Sequence, residues 1–182
     1  MNKQTVFTSR IWLITDSDSR LIDDIDTDMI FHNAHLAITD IGKMGRHAFG
    51  NLKGWEHFAQ EARPGDVVIC GANFGAGSSR QHAVDCFAAL GCAGILAESF
   101  GAIYKRNAIN SGFPILACPD LAAAVETGRL RHLQTVMIDL RTGTVTDPGQ
   151  GVLLAQATPF STVQQDIYQA GNLFAFGKQR AS

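Results

Sequence analysis

The chain has 182 residues, of which 46% are hydrophobic and 18% are charged, and its formal net charge at pH 7 is −2. This composition is typical of an ordinary globular domain, and we expect residues 1–182 to form a single domain with a buried core. Because Lys and Arg form no run, we expect neither a nucleic-acid partner nor an anionic membrane surface, and no apolar stretch is long enough to span a bilayer.

The N-terminal part of the chain alternates between apolar and irregular segments. Residues 5–15 are apolar and β-branched, which predicts one or two strands, and an acidic segment at residues 23–28 follows. Residues 32–52 carry several glycines spaced as in loops, so we expect a mobile loop there. After it, the sequence predicts a short helix at 55–62, a Pro-Gly-Asp turn and a strand at 67–70.

The C-terminal part of the chain reads as alternating strands and helices. Apolar residues at helical spacing predict a helix over 79–90, which Gly91 ends. The other predicted elements are strands at 95–97 and 113–117, helices at 100–110 and 121–127, a hairpin over 136–145 and a helical tail at 162–176 that breaks at Gly171. Strands followed by helices indicate an α/β fold.

A glycine-rich loop lies between the strand at 67–70 and the following helix. Residues 71–82 read Gly-Ala-Asn-Phe-Gly-Ala-Gly-Ser-Ser-Arg-Gln-His. A glycine turn before a helix N-terminus binds anions, because free backbone amides and the helix dipole both favour negative charge. The dinucleotide motif is incomplete, since Arg80 stands where its third glycine belongs, and no lysine follows Gly77 as a P-loop requires. We therefore expect a carboxylate or phosphate ligand.

Two interpretations of Ser78 remain open from the residues alone. Ser78 and Gln81 fit the capping box, in which two side chains satisfy free amides at a helix start. Arg80 on the first helical turn would oppose the helix dipole, which indicates a bound anion instead. The same field would stabilise a serine alkoxide, so Ser78 also fits a catalytic base. His82 could assist, although a lone helical histidine is commonly structural.

Three segments together resemble the swivelling domain of the aconitase superfamily, which occurs as a separate small subunit in 3-isopropylmalate dehydratase. Residues 71–83 resemble the family signature, residues 24–30 its N-terminal acidic motif and residues 99–114 its later motif. The length is similar to the short form common among archaeal-type small subunits. The resemblance implies an α/β fold, a three-layer β/β/α swivelling domain.

The resemblance also implies a shared active site. The domain would close over a [4Fe-4S] cluster held by a separate large subunit, and this chain would hold no metal. In such enzymes the iron takes the hydroxyl and a carboxylate of a small dicarboxylate substrate. Ser78 matches the base that removes the proton from the neighbouring carbon, Arg80 matches the arginine that clamps a substrate carboxylate, and Ser79 matches an adjoining substrate contact. Arginine suits the clamp because its fork donates two charge-assisted hydrogen bonds.

The cysteines agree with a chain that binds no cluster. None of the four forms a C-x-x-C pair, and most lie inside apolar runs, as buried reduced thiols do. They are Cys70, Cys86, Cys92 and Cys118. We therefore expect a cytoplasmic protein.

One segment departs from the family pattern and bears on the substrate. Residues 31–38 read Phe-His-Asn-Ala-His-Leu-Ala-Ile, where relatives commonly read Ile-Pro-Ala-Arg-Tyr-Leu and two variable residues. In the family this loop selects the substrate, so the resemblance implies substrate contacts from His35, Leu36, Ala37 and Ile38. The last two are the variable positions, and both are apolar.

An apolar pair at these positions favours an alkyl group, because a third substrate carboxylate would lack a counter-charge. The expected reaction is the interconversion of 2- and 3-isopropylmalate in leucine biosynthesis. A related hydro-lyase acting on dimethylmalate, another alkyl-malate or homoaconitate is the alternative. A non-catalytic module that binds a carboxylate or phosphate is the alternative of another class.

Overall fold

A computed structural model describes residues 2–181. Its seven strands in this part of the chain are β1 Val6–Leu13, β2 Val67–Cys70, β3 Gly94–Ala97, β4 Ile115–Ala117, β5 Thr135–Asp139, β6 Thr144–Thr146 and β7 Leu153–Gln156. The α-helices are α1 Thr27–Ile30, α2 Phe58–Glu61, α3 His82–Ala89, α4 Ala102–Asn110, α5 Leu121–Glu126, α6 Thr162–Ala170 and α7 Leu173–Ala181. None of the helices described is both long enough and apolar enough to cross a membrane.

All the strands join one mixed sheet in the order β4-β3-β2-β1-β5-β6-β7. The pairs β1–β2, β2–β3 and β3–β4 are parallel, whereas β1–β5, β5–β6 and β6–β7 are antiparallel. β2 and β3 are buried at every position, which is typical of parallel strands covered on both faces. β1 is therefore the strand at which the parallel half meets the antiparallel half.

Two apolar cores cover the two faces of the parallel half. Along β1 and just beyond it, Trp12 and Ile14 enter the core that packs against α3 and α4, whereas Ile11 and Leu13 enter the other core. That second core also contains the inward residues of β5, β6 and β7 together with α5. The antiparallel strands thus curl over one face while helices cover the other. The predicted three-layer β/β/α arrangement is confirmed.

A buried carboxylate lies at the amino end of β2. Asp66 accepts two hydrogen bonds from the Arg10 guanidinium, one from the Trp12 indole at 2.7 Å and one from the Arg63 amide at 2.8 Å. Its side chain is only 5% exposed. Burial alone would raise the pKa of Asp66, but the bonds from Arg10, Arg63 and Trp12 outweigh it, and the pKa lies below its usual value.

The structure changes several predicted elements. The opening apolar run forms the one strand β1, and the helix expected over 55–62 is only the four residues of α2. β7 was not predicted, because two of its four residues are exposed and the strand is too short to show alternation. The tail does break at Gly171, which ends α6 at a φ of 104°.

The segment 32–52, expected to be a mobile loop, has two parts. Three 3-10 turns cross it, at Asn33–His35, Ile41–Lys43 and Gly45–His47. From Met44 onward its apolar side chains belong to the helix-side core, and Phe49 is completely buried. Most residues between 33 and 43 are exposed. The second part is therefore core structure, and mobility stays a prediction for residues 33–43 alone.

Candidate active site

The glycine loop lies at the carboxyl end of β2, the edge at which open α/β sheets bind their ligands. The acidic segment runs alongside it: the amides of Asp24 and Thr27 donate to the carbonyls of Ala72 and Ala76, both at 2.9 Å. On the other side, the Phe74 amide donates to the Ser99 carbonyl at 3.0 Å. The three motifs of the sequence are thus adjacent strips of one surface, with the glycine loop in the middle.

Glycine is required at Gly75 and Gly77 because both adopt left-handed backbone angles, with φ of 76° and 97°. A side chain at Gly75 would in addition overlap the Tyr104 ring, which is fully buried beneath the loop. An open depression of about 340 Å³ adjoins the loop, lined by Asn73, Gly75, Ala76, Gly77, Gly101, Ala102 and Ile103. The loop therefore presents backbone, rather than side chains, to a ligand on this face.

Ser78 is exposed at the end of the glycine loop, and its hydroxyl oxygen lies 3.3 Å from that of Thr27. Thr27 is 3% exposed and occupies the first position of α1. Asp26 caps this short helix by accepting the amides of Asp28 and Met29. The cap fixes the start of α1 and so places a buried hydroxyl beside the proposed base.

The predicted capping box at Ser78 and Gln81 is wrong. The helix α3 begins at His82, and Gln81 precedes it as the N-cap, with helical angles and no capping side-chain bond. The Gln81 amide group instead donates to Asp85 and Ser111, both at 2.8 Å. A tight turn, in which the Arg80 amide donates to the Ser78 carbonyl, delays the helix start. Arg80 therefore precedes the helix and does not lie on its first turn.

Arg80 forms an ion pair that uses only one of its three guanidinium nitrogens. Its Nη1 donates to the Asp28 carboxylate at 2.6 Å and to the Phe31 carbonyl at 3.1 Å. Its Nε and Nη2 have no hydrogen-bond partner among residues 2–181. Asp28 also accepts from the Asn33 amide and the Asn51 side chain. The hydrogen bond from Arg80 is the largest influence on the pKa of Asp28 and holds it below the usual value.

His35 lies against a second histidine rather than pointing freely into solvent. Its ring stacks on that of His47, with centroids 3.9 Å apart. Arg46 donates from Nε to His47 Nε2 at 3.1 Å, so this nitrogen carries no proton. Burial, followed by the charges of His35 and Arg46, lowers the pKa of His47. The histidine that replaces the family tyrosine is therefore part of a packed pair.

The other predicted substrate contacts lie on the same loop. Leu36 and Ala37 are exposed, and Ile38 is partly buried against the helix-side core. The Ile38 carbonyl lies 3.2 Å from His82 Nε2. Ser79 is exposed and forms no hydrogen bond within the described residues. The structure brings Ser78, Ser79 and Arg80 together, while no hydrogen bond described joins residues 35–38 to either serine.

Thr27 and Asp28 contact two of the predicted site residues, and the sequence did not assign them to the site. Both belong to the acidic segment, which the resemblance had already marked as a motif. Their partners Ser78 and Arg80 lie about fifty positions away in the chain. Only the pairing of the acidic segment with the glycine loop brings them together, and no local pattern encodes that pairing.

The residues of this chain do not fit a [4Fe-4S] cluster. A cluster is held by cysteine thiolates that converge on it, whereas all four cysteines are buried, free thiols and no three of them are grouped as ligands in the described residues. Burial raises the pKa of Cys92 to about 12 and of Cys118 to about 11, and the pKa values of Cys70 and Cys86 are also well above normal. No group of three or more potential ligands in the described residues is arranged to hold a metal ion.

The curled β/β/α sheet, with its glycine loop beside an acidic strip, defines an α/β domain of the aconitase C-terminal class. Residues 46–120 match the Aconitase C-terminal domain. A crystal structure of 3-isopropylmalate dehydratase (LeuD) from Methanocaldococcus jannaschii superposes with a TM-score of 0.80 at 27% identity, covering 97% of this chain and 95% of that one.

Sequence relatives identify the particular family within this class. The 3-isopropylmalate dehydratase small subunit of Aquifex aeolicus is 34% identical over 97% of both chains. The small subunit of Halothermothrix orenii is 36% identical, over 83% of this chain and 87% of its own length. Small subunit 1 of Methanopyrus kandleri is 38% identical, over 83% of this chain and 84% of its own. The chain belongs to the family of 3-isopropylmalate dehydratase small subunits.

Proposed function

We propose that this chain is the small subunit of a hydro-lyase that interconverts 2-isopropylmalate and 3-isopropylmalate by dehydration and rehydration, a step of leucine biosynthesis. Relatives with that name cover most of the chain. The observation that carries the proposal is the pairing of Ser78 with Thr27 and of Arg80 with Asp28, where the glycine loop meets the acidic segment. Neither homoaconitate nor a purely binding role has an observation in its favour.

Each residue has a distinct task in the proposed reaction. Arg80 binds a substrate carboxylate through the guanidinium nitrogens that Asp28 leaves open. The Ser78 alkoxide takes the proton from the carbon beside a carboxylate, and the electron pair of that C–H bond forms the C=C double bond as the hydroxyl leaves the neighbouring carbon. A cluster held by the large subunit would supply the Lewis acid that accepts the departing hydroxyl. Return of water with the opposite regiochemistry gives the isomer. Backbone amides of the glycine loop stabilise the negative charge that develops.

An exposed serine is a weak base, because water solvates its alkoxide and reprotonates it. Ser78 and Ser79 are both exposed in this chain. A surface that excludes water would let the Thr27 hydroxyl and the loop amides stabilise the alkoxide. We infer that a large subunit supplies this surface and, since the cysteines of this chain are buried, also the iron–sulfur cluster. The assembly is proposed as a heterodimer or higher heteromer.

The proposed substrate follows from the loop at residues 35–38. Leu36, Ala37 and Ile38 offer apolar contact and no cationic group, so they suit an isopropyl group better than a third carboxylate. Apolar pockets separate neighbouring alkyl groups by only about 1–3 kcal/mol per methylene. Dimethylmalate is therefore the substrate most similar in expected activity. Buried, reduced thiols support a cytoplasmic location.

Reconstitution tests the proposal directly. The chain is co-expressed with a candidate large subunit under anaerobic conditions and assayed on 2-isopropylmalate, dimethylmalate and homoaconitate. We expect the highest kcat/KM on 2-isopropylmalate. Faster turnover of homoaconitate contradicts the substrate, and tight binding of a malate or phosphate by the chain alone, without turnover in any pairing, favours the binding module.

Replacing the proposed base tests its role. Ser78→Ala should lower kcat by about 10²–10⁴, the usual contribution of a positioned base. Because Ser78 is exposed, the free energy of unfolding should change by less than about 0.5 kcal/mol. Ser17→Ala, which removes another exposed hydroxyl, is the matched control and should leave kcat unchanged. Full activity of Ser78→Ala would exclude the base.

A further inference from the structure

The first residue of α3 contacts the loop that the proposed function assigns to substrate selection. His82 Nε2 lies 3.2 Å from the Ile38 carbonyl oxygen. A carbonyl only accepts hydrogen bonds, so Nε2 carries the proton and donates. The His82 ring also packs against Phe31, with centroids 5.3 Å apart and planes inclined by 31°. One side chain thus contacts both ends of the segment 31–38.

Arg80 provides a second tie to the same segment through its bond to the Phe31 carbonyl. Between the two ties, the backbone bonds are short turns, from the amides of His35, Leu36 and Ile38 to carbonyls three residues earlier. Such turns set the local shape of the loop but not its position on the protein. Its position depends on contacts with α3, on the hydrogen bond from the Asn33 amide to Asp28 and on the stack of His35 with His47.

We propose that His82 is a positioning residue for substrate selection: its hydrogen bond to Ile38 fixes residues 36–38 relative to Arg80. This inference rests on the proposed function, because it requires that the loop contacts the alkyl group. Arg80 and His82 are two positions apart, so the carboxylate clamp lies in the turn just before α3 and the anchor of the alkyl-contacting loop is the first residue of α3. The distance between the guanidinium that binds the carboxylate and the residues that contact the alkyl group is thereby fixed.

Two substitutions separate the hydrogen bond from the ring packing. His82→Phe keeps an aromatic ring against Phe31 and removes the donor. His82→Gln removes the ring and supplies an amide N–H of similar reach. The control is His57→Phe, because His57 is an exposed histidine whose side chain forms no capping bond. The His35–His47 stack and the bond from Arg80 to Phe31 do not involve His82, so we expect the loop to retain these attachments in every variant.

The first measurement is how strongly the reconstituted enzyme discriminates between 2-isopropylmalate and 2-methylmalate. In His82→Phe, the ratio of kcat/KM for 2-isopropylmalate to that for 2-methylmalate should fall about fivefold, the value of one neutral hydrogen bond. The loss should be in KM for 2-isopropylmalate, with kcat within twofold of the parent. His82→Gln should restore most of the ratio, and His57→Phe should leave it unchanged.

The second measurement is amide hydrogen exchange in the full chain, which needs no activity. Exchange at residues 36–38 should be about fivefold faster in His82→Phe and near the parental rate in His82→Gln. Unchanged exchange in His82→Phe overturns the proposed anchor. Faster exchange with an unchanged substrate ratio, or an equal loss of kcat on both substrates, overturns the role in selection. An inactive parental pair contradicts the proposed function while exchange still tests the anchor.

Discussion

Two arginine–aspartate pairs lie near opposite ends of β2, and they differ in how completely their hydrogen-bonding groups are paired. Arg10 meets Asp66 through two nitrogens, and Trp12 and the Arg63 amide supply the other donors; we call this the closed pair. Arg80 meets Asp28 through Nη1 alone; we call this the open pair. The closed carboxylate is 5% exposed and the open one 33%.

The difference separates a structural role from a binding role. A buried ion pair is tolerated only when its remaining hydrogen-bond capacity is met, which the closed pair achieves. The open pair retains donors on Arg80, its Nε and Nη2, that form no hydrogen bond with any described residue. Asp28 holds the guanidinium in place while leaving two of its nitrogens unpaired, so the clamp that we propose would be oriented before a ligand binds.

Removing the two carboxylates should give the largest contrast. Asp66→Ala strands the Arg10 guanidinium and the Trp12 indole, so we expect the free energy of unfolding to fall by about 3 kcal/mol. Asp28→Ala should cost less than about 1 kcal/mol, as partly exposed pairs do. Urea denaturation of the two variants measures both values. Equal losses of unfolding free energy in the two variants would contradict the distinction between the closed and open pairs.

Exchanging arginine for lysine sharpens the comparison on the functional side. Arg80→Lys replaces a planar fork by a point charge, so kcat/KM of the reconstituted enzyme should fall about a hundredfold with little loss of stability. Arg10→Lys is the matched variant of the closed pair. We expect its free energy of unfolding to fall by about 1 kcal/mol and its kcat/KM to stay unchanged. Steady-state kinetics and thermal melts test the pair, and the reverse pattern would contradict it.

The smallest predicted effect is the pH dependence of stability. Both Asp66 and Asp28 have lowered pKa values, so each stabilises the fold above the unfolded value of about 3.9 and loses that contribution as the pH falls through its folded value. The acid decline in unfolding free energy should be shallower in Asp66→Asn than in the parent. Asp28→Asn, at the more exposed pair, should change the slope less. Denaturation between pH 5 and about 2 compares them.

The sequence predicted local elements well where one chain segment determines them. Continuous apolar runs identified β2 and β3, and the glycines identified the turn that follows β2. The helix start was wrong because Ser78 and Gln81 match a capping pattern while their side chains bond elsewhere. A capping box does form at α6, where Ser161 and Gln164 carry the same pattern.

The sequence indicates only part of the candidate site, because its motifs are local whereas the residues that contact them are distant in the chain. Ser78 and Arg80 stand out in the sequence, but Thr27 and Asp28 become their partners only through pairing of the acidic segment with the glycine loop. Likewise, the contact between His82 and Ile38 depends on how the segment 31–38 packs onto α3. Such contacts between distant segments are set by the tertiary fold, which single-sequence patterns do not encode.

The position of β1 between the parallel and antiparallel halves has a consequence for how the chain folds. Its parallel neighbour β2 follows after more than fifty residues, and its antiparallel neighbour β5 emerges only when most of the chain has been made. During synthesis, β1 therefore remains unpaired, with its edges and apolar faces exposed, until these strands have been made. We expect slow folding dominated by long-range contacts, since closure of the whole sheet depends on the strand that is made first.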